Sequence, residues 1–298
     1  MSKKEEDFIE NLNVTRDISS EFAVAEKIIR TSAKGRKYLD ITLADKTGQM
    51  DGRMFPSDVD SIYDSINLGR VYNVIGRISE FPSGSGKYNM VINIIDELKE
   101  GEYILEDFVM ISQNKPKDQI AEINQAITEV HNIHLKSLLD AFFSDEDFTK
   151  KFYIAPAAIV HHHNYMGGLL DHSVEILEIC RTMCKIFPDI NKDLLYCGVL
   201  LHDIGKIKTY TYGTGPIGFS EEGDLLDHIY LSCEMVKERM TKLETPEELS
   251  NQILHMILSH HGDVSNGWGS SVDPKTPEAL TLHFADNMDA KVKKALQR

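Results

Sequence analysis

Apolar and polar residues alternate in short runs from about residue 14 to residue 102, and then the period changes. FAVAEKIIR (22–30), KYLDITLAD (37–45), GQMDGRMF (48–55), RVYNVIGRISEF (70–81) and YNMVINIIDEL (88–98) carry the two-residue period of half-buried strands. Turn residues separate them: Ala33-Lys34-Gly35, Asp45-Lys46-Thr47-Gly48 and the Gly/Ser-rich stretch 82–86. A short helix fits 57–66. Residues 103–118, with Pro116 among polar neighbours, interrupt the pattern and read as a linker. Beyond them apolar positions recur every three to four residues, which predicts helices over 119–130, 134–143, 169–187, 193–207, 225–240, 246–261 and 277–296.

Five strands with a helix between the third and fourth predict a small Greek-key barrel of the OB type. The expected fold is therefore multidomain: a charged tail (1–13), an OB-like β-barrel (14–102), the linker, and an all-α domain (119–298). The length of 298 residues is enough for two buried cores. With 42% hydrophobic and 27% charged residues, the composition is that of a globular protein. No apolar run reaches membrane-spanning length, and the charged start lacks a secretory signal, so the expected location is the cytoplasm. The four cysteines, without a CxxC pair, read as buried reduced thiols. The net charge of −15 disfavours non-specific nucleic-acid binding unless basic residues gather locally or metals supply positive charge.

The candidate chemistry lies in the second half, which holds most of the twelve histidines. His172 has Leu169 three residues before it and Ile176 four after, on the buried edge of its helix. His202 and Asp203 follow the apolar run Gly198-Val199-Leu200-Leu201. His228 shares a face with Leu231 and Met235, His260 with Met256 and Ile257, and Asp286 with Leu282 and His283. A lone histidine on an apolar face is usually a satisfied core residue, and His131, His134 and His255 are read so. A buried carboxylate without a partner is costly. Helix after helix aiming His or Asp into one core is explained at once by a bound cation. Imidazole with carboxylate suits first-row metals, and thiolate ligands are lacking.

The order His … His-Asp … Asp on successive helices resembles the HD superfamily of metal phosphohydrolases. The resemblance implies that His172, His202, Asp203 and Asp286 bind one metal. It implies that His228 and His260, joined by His261, bind a second, with Asp203 bridging the two. Lys206 matches the lysine of the HDxxK variant, which faces the substrate phosphate. Two divalent cations are expected, manganese first, with iron, cobalt, magnesium and zinc as alternatives. More narrowly, HHNYMGGLLDHSVEIL (162–177), LLHDIGKI, LLDHI, ILSHHG and FADNMDAKV resemble bacterial 3′→5′ exoribonucleases of the YhaM type, in which an OB fold precedes an HD domain. Asp227 departs from the pattern, which has Gly before the His, and the stretch 262–273 is longer than usual. His162 and His163, ahead of Gly167-Gly168, are expected at the mouth of the site, contacting the scissile phosphate or protonating the leaving oxygen.

The implied reaction is metal-dependent hydrolysis of phosphodiesters of single-stranded RNA from a 3′ end, with single-stranded DNA as an alternative substrate. OB barrels bind single strands through aromatic stacking and a few basic side chains. The candidates are Lys34, Arg36, Lys37, Tyr38, Arg53, Phe55, Arg77, Phe81, Lys87 and Tyr88. No membrane partner is expected, and assembly into a homo-oligomer stays open. Three other readings also stay open: a phosphohydrolase of nucleotides or cyclic dinucleotides with a regulatory barrel, a nucleic-acid-binding protein with little catalysis, and a two-iron oxygenase.

Overall fold

The computed structural model describes residues 3–32, 35–99, 101–159, 163–212, 217–267 and 269–296. The chain divides into two compact units, one of residues 1–110 with 212–218 and the other of residues 111–211 with 219–298.

In the first unit, β1 (Arg16–Thr31), β2 (Lys37–Asp45), β3 (Gly48–Met54), β4 (Val71–Glu80) and β5 (Tyr88–Glu97) close into a barrel in the order β1-β2-β3-β5-β4. Helix α1 (Val59–Ser65) lies between β3 and β4, and the Asp58 carboxylate caps it by accepting from the Ser61 N–H. Strand β1 starts earlier than its apolar sequence suggests. Its first half pairs with β4 and its second half with β2, and the register against β2 slips between Val24 and Glu26. Such a bulge bends a strand so that it can serve two neighbours. Parallel pairing of β3 with β5 closes the barrel around Phe22, Leu39, Ile41, Leu43, Val74 and Met90. Residues 3–12, expected as a tail, pack on this barrel. Phe8 and Leu12 are buried, and the Lys3 ammonium lies 2.7 Å from Asp45.

The second unit is helical: α2 (Pro116–Thr128), α3 (Ile133–Phe143), α4 (Glu146–Ile154), α5 (Gly168–Ile186), α6 (Lys192–Leu201), α7 (Lys206–Thr209), α8 (Glu221–Lys242), α9 (Glu247–Ser259) and α10 (Pro277–Leu296). Pro116, read above as an interruption, opens α2. The first helical position has no N–H to lose, and the proline ring presets its φ. The segment 193–207 is not one helix. It breaks at His202–Gly205, between α6 and α7, and α8 breaks at Asp227 (φ 63°, ψ 155°). Among the described residues no helix is long and apolar enough to cross a membrane.

Candidate metal centre

The break between α6 and α7 carries the His-Asp pair, and four helices deliver side chains to it. Asp203 stands at the centre and is 2% exposed. Its Oδ2 lies 3.3 Å from His172 Nε2 of α5 and 3.4 Å from its neighbour His202 Nε2. Its Oδ1 lies 3.5 Å from His228 Nε2 of α8 and 3.5 Å from His260 Nε2 at the end of α9. Asp286 of α10 closes the first side, with Oδ1 3.2 Å from His172 Nε2. His261 closes the second, its ring centroid 4.2 Å from that of His260 and 5.1 Å from that of His228. One carboxylate thus presents each of its oxygens to a different pair of imidazoles.

The other ring nitrogens fix the tautomers. His202 Nδ1 lies 2.8 Å from the Val199 carbonyl oxygen, and His260 Nδ1 lies 2.7 Å from that of Ile257. His228 Nδ1 lies 2.6 Å from Asp227 Oδ1, and His172 Nδ1 lies 2.7 Å from Asp289 Oδ2. A proton held on each Nδ1 leaves the Nε2 lone pair for a ligand. The Nε2 atoms of His202, His228 and His260 are buried and make no hydrogen bond to the described residues. Burial keeps His228 and His260 below the usual imidazole pKa, hence neutral. Burial alone would raise the Asp203 pKa, but the Lys206 ammonium holds it well below the usual carboxylate range. Neutral His228 and His260 facing an ionised Asp203 are in the form that binds a cation. The His172 pKa, which burial alone would lower, is raised well above the usual imidazole value by Asp203, Asp286 and Asp289, so a cation there would displace its proton. Among the described residues three groups have ligand atoms within 4.8 Å of one another: His172 with His202 and Asp203, His228 with His260 and His261, and His163 with His172 and Asp289.

Lys206, 6% exposed, places its Nζ 2.5 Å from Asp203 Oδ2. It lines a cavity of about 430 Å³ together with His228, His261, Asp286, Lys291 and Lys294. Ala157, Ala158 and Ala290 supply an apolar wall of that cavity. Gly205 is where the His-Asp turn meets α8. Its N–H donates to Ser232 Oγ at 2.8 Å, and a Cβ there would fall 2.3 Å from the His228 carbonyl oxygen.

His163 is corrected. It does not sit at the mouth of the site. It is fully buried behind His172, with Nδ1 2.9 Å from the Tyr165 hydroxyl and Nε2 3.0 Å from Asp289 Oδ2. Both its nitrogens face partners, and Asp289 is also the residue that faces His172 Nδ1. Gly168 allows the close pass that puts it there, since a Cβ at 168 would fall 2.1 Å from the His163 carbonyl oxygen. His162 lies outside the described residues.

The sequence reading missed Asp289, although it stands one helical turn beyond Asp286 on the same face. It also missed Tyr165 and Asp171. The Tyr165 hydroxyl donates to Asp171 Oδ2 at 2.7 Å, and Ser112 Oγ and Gln119 Nε2 donate to the same carboxylate. Glu175 completes the support. Burial and then the Asp289 carboxylate push its pKa up to about 7, while the Lys293 ammonium at 2.6 Å pulls the other way. His283, which also lines the cavity, donates from Nδ1 to the His260 carbonyl oxygen at 2.9 Å.

On the barrel, strand alternation sorts the candidate contacts. Tyr38 stacks on Phe55 at 5.4 Å between centroids, Arg36 lies over Phe55, and Arg53 lies over both Tyr38 and Phe81. Lys37, one residue from Tyr38, points to the opposite face and pairs with Asp60 of α1 at 3.0 Å. Arg77 pairs with Asp17 at 2.9 Å, and Val91, which stands opposite both Arg53 and Arg77 in the sheet, lies between the two arginines. Lys87 is exposed beside the β4–β5 turn, whereas Tyr88 packs against the barrel core. Arg30 was missed. It lines the same outer face as Tyr38 and Arg53, 2.5 Å from Asp40. Lys34 lies outside the described residues.

A helical domain with a His/Asp cluster able to hold divalent metal, joined to a five-stranded barrel, is the class this fold and site define. Residues 169–291 match the HD domain family, and residues 24–98 match a family described as an OB-fold nucleic acid binding domain. A protein named 3'-5' exoribonuclease YhaM from Shouchella clausii is 31% identical over 280 residues, covering 91% of this chain and 85% of that one. The protein of the same name from Geobacillus sp. is 31% identical over 265 residues, covering 88% and 78%. The one from Listeria innocua is 32% identical over 263 residues, covering 87% and 80%. The chain belongs to this YhaM family.

Proposed function

We propose that the chain is a metal-dependent 3′→5′ exoribonuclease that releases nucleoside monophosphates from single-stranded RNA. The observation that carries the proposal is Asp203, buried with each oxygen facing a different pair of Nε2 atoms, next to Lys206 and His228, which line a cavity together with Lys291 and Lys294. The relatives' names supply the polymer and the direction. His172, His202, Asp286 and Asp203 Oδ2 would hold one ion, and His228, His260, His261 and Asp203 Oδ1 the other. Manganese is the first choice for such a nitrogen and carboxylate set. When bound, divalent ions supply an activated water and offset charge on the phosphoryl oxygens.

The chain's own residues do the rest. Lys206 presents an ammonium to the phosphate, and Lys291 and Lys294 add positive charge on the same cavity, against the acidity of the whole chain. The alanine wall admits a sugar or base without reading its hydrogen-bonding edge. On the barrel, the Arg36–Phe55–Tyr38–Arg53 group offers stacking surfaces that any base can use. Residues 14–102 are proposed to capture the strand and residues 119–298 to cut it. The four cysteines are free thiols, as a reducing cytoplasm would keep them.

The test is hydrolysis of 5′-labelled and 3′-labelled RNA by the manganese-loaded chain. A 5′-labelled strand should shorten in a ladder, a 3′-labelled strand should release its labelled monophosphate at once, and circular RNA should resist. Rapid cutting of the circle would replace the exonuclease with an endonuclease. Lys206→Ala should lower kcat by about 10²–10³ without changing the metal content measured by mass spectrometry. An unchanged kcat would remove Lys206 from the chemistry.

A further inference from the structure

The four imidazoles that face Asp203 solve one problem in two ways. Each must dispose of its Nδ1 proton so that Nε2 points inward. His202 and His260 cap the C-termini of α6 and α9, where the last carbonyls have no helical N–H, and each takes the carbonyl three residues back. His172 lies inside α5, where backbone carbonyls are already engaged, and His228 opens the second segment of α8 just after its break; each takes a carboxylate instead. For His172 that carboxylate is Asp289, from another helix. For His228 it is the residue immediately before it, Asp227.

A side chain can turn back onto its own successor only if the helix gives way. At Asp227 it does, with φ 63° and ψ 155°, a backbone region that glycine occupies freely and other residues occupy under strain. Asp227 Oδ1 then meets His228 Nδ1 at 2.6 Å and also accepts the Ile229 N–H at 3.1 Å. A residue that keeps a strained conformation in order to place an acceptor is a candidate for function.

We propose that Asp227 is a positioning residue that sets the tautomer and direction of His228 and so raises the affinity of the metal held by His228, His260 and His261. The proposal rests on the reading of His228 as a ligand. It makes the carboxylate the reason why an aspartate stands at a glycine-shaped position. The rival is that Asp227 only caps the second segment of α8 through Ile229. That role would affect melting and not metal affinity.

Manganese(II) titration of the full chain by calorimetry, with metal content by mass spectrometry, separates these cases. Asp227→Gly relieves the backbone and removes the acceptor. The metal-free variant should melt about where the native chain does, while one manganese binds about 10–100-fold more weakly. Asp227→Asn keeps an acceptor oxygen and tolerates positive φ, and should restore most of that affinity. His228→Ala should lose the same ion outright. If Asp227→Gly binds manganese as the native chain does while His228→Ala loses an ion, Asp227 has no positioning role. If His228→Ala also binds as the native chain does, the ligand assignment beneath the proposal fails.

Discussion

Asp203→Ala is expected to abolish hydrolysis, with a fall of at least about 10³-fold, and to leave the protein with little bound metal. Both clusters lose their shared carboxylate, because the same residue supplies Oδ2 to His172 and His202 and Oδ1 to His228 and His260. The buried Lys206 ammonium also loses the counter-charge 2.5 Å away. Removing one partner of a buried pair typically destabilises by about 3–5 kcal/mol, so circular dichroism must accompany the assay. Asp203→Asn keeps the shape and should fold, yet it cannot supply the negative charge. Full metal occupancy with normal turnover in the asparagine variant would sink the assignment.

Asp289→Ala should be nearly as damaging, although this residue is not itself proposed to touch metal or substrate. Its Oδ2 accepts from His172 Nδ1 at 2.7 Å and faces His163 Nε2 at 3.0 Å, and both rings are fully buried. Alanine strands polar nitrogens where water does not reach, at about 1–3 kcal/mol each. Unfolding is expected to begin about 5–15 °C lower. His172 also loses what fixes its tautomer, so manganese should bind about 10–100-fold more weakly at its site. Scanning calorimetry and metal titration read the two effects separately. A variant that melts and binds like the native chain would show that Asp289 is dispensable.

The sequence disclosed the elements whose periods are long and regular. All five strands and the helices carrying His172, His228 and Asp286 lie where alternation or three-to-four spacing places them. It disclosed less wherever one side chain overrides the period. The four-residue gap at His202–Gly205 is hidden inside an apolar run that continues on both sides. Helix α4 was missed because nine residues are too short a stretch for the three-to-four spacing to repeat, although Asp145 caps it. The N-terminal half of β1 was missed because Ser20 is buried where alternation asks for an apolar residue. The residues that converge on Asp203 were legible because each is a polar residue on an apolar face. Asp289 was not, and Asp227 showed only as a departure from the motif, because each meets the far nitrogen of a neighbouring histidine, a relation only three-dimensional contact reveals. His163 shows the converse, since a histidine next to a motif need not face the motif's substrate.

Gly205 is not among the residues that line the cavity beside Lys206, yet its missing side chain lets the His-Asp turn lie against the backbone of His228. The two halves of the centre are therefore machined to a common tolerance. A methyl group added there would have to push α8 outward, carrying His228 away from Asp203 while His172 and His202 stayed where they are. Such a change would look in an assay like the selective loss of one ion, and nothing in its location would suggest it. A side chain at this position meets backbone within 2.6 Å, so a survey of tolerated substitutions that weighed only contact with substrate would misjudge it.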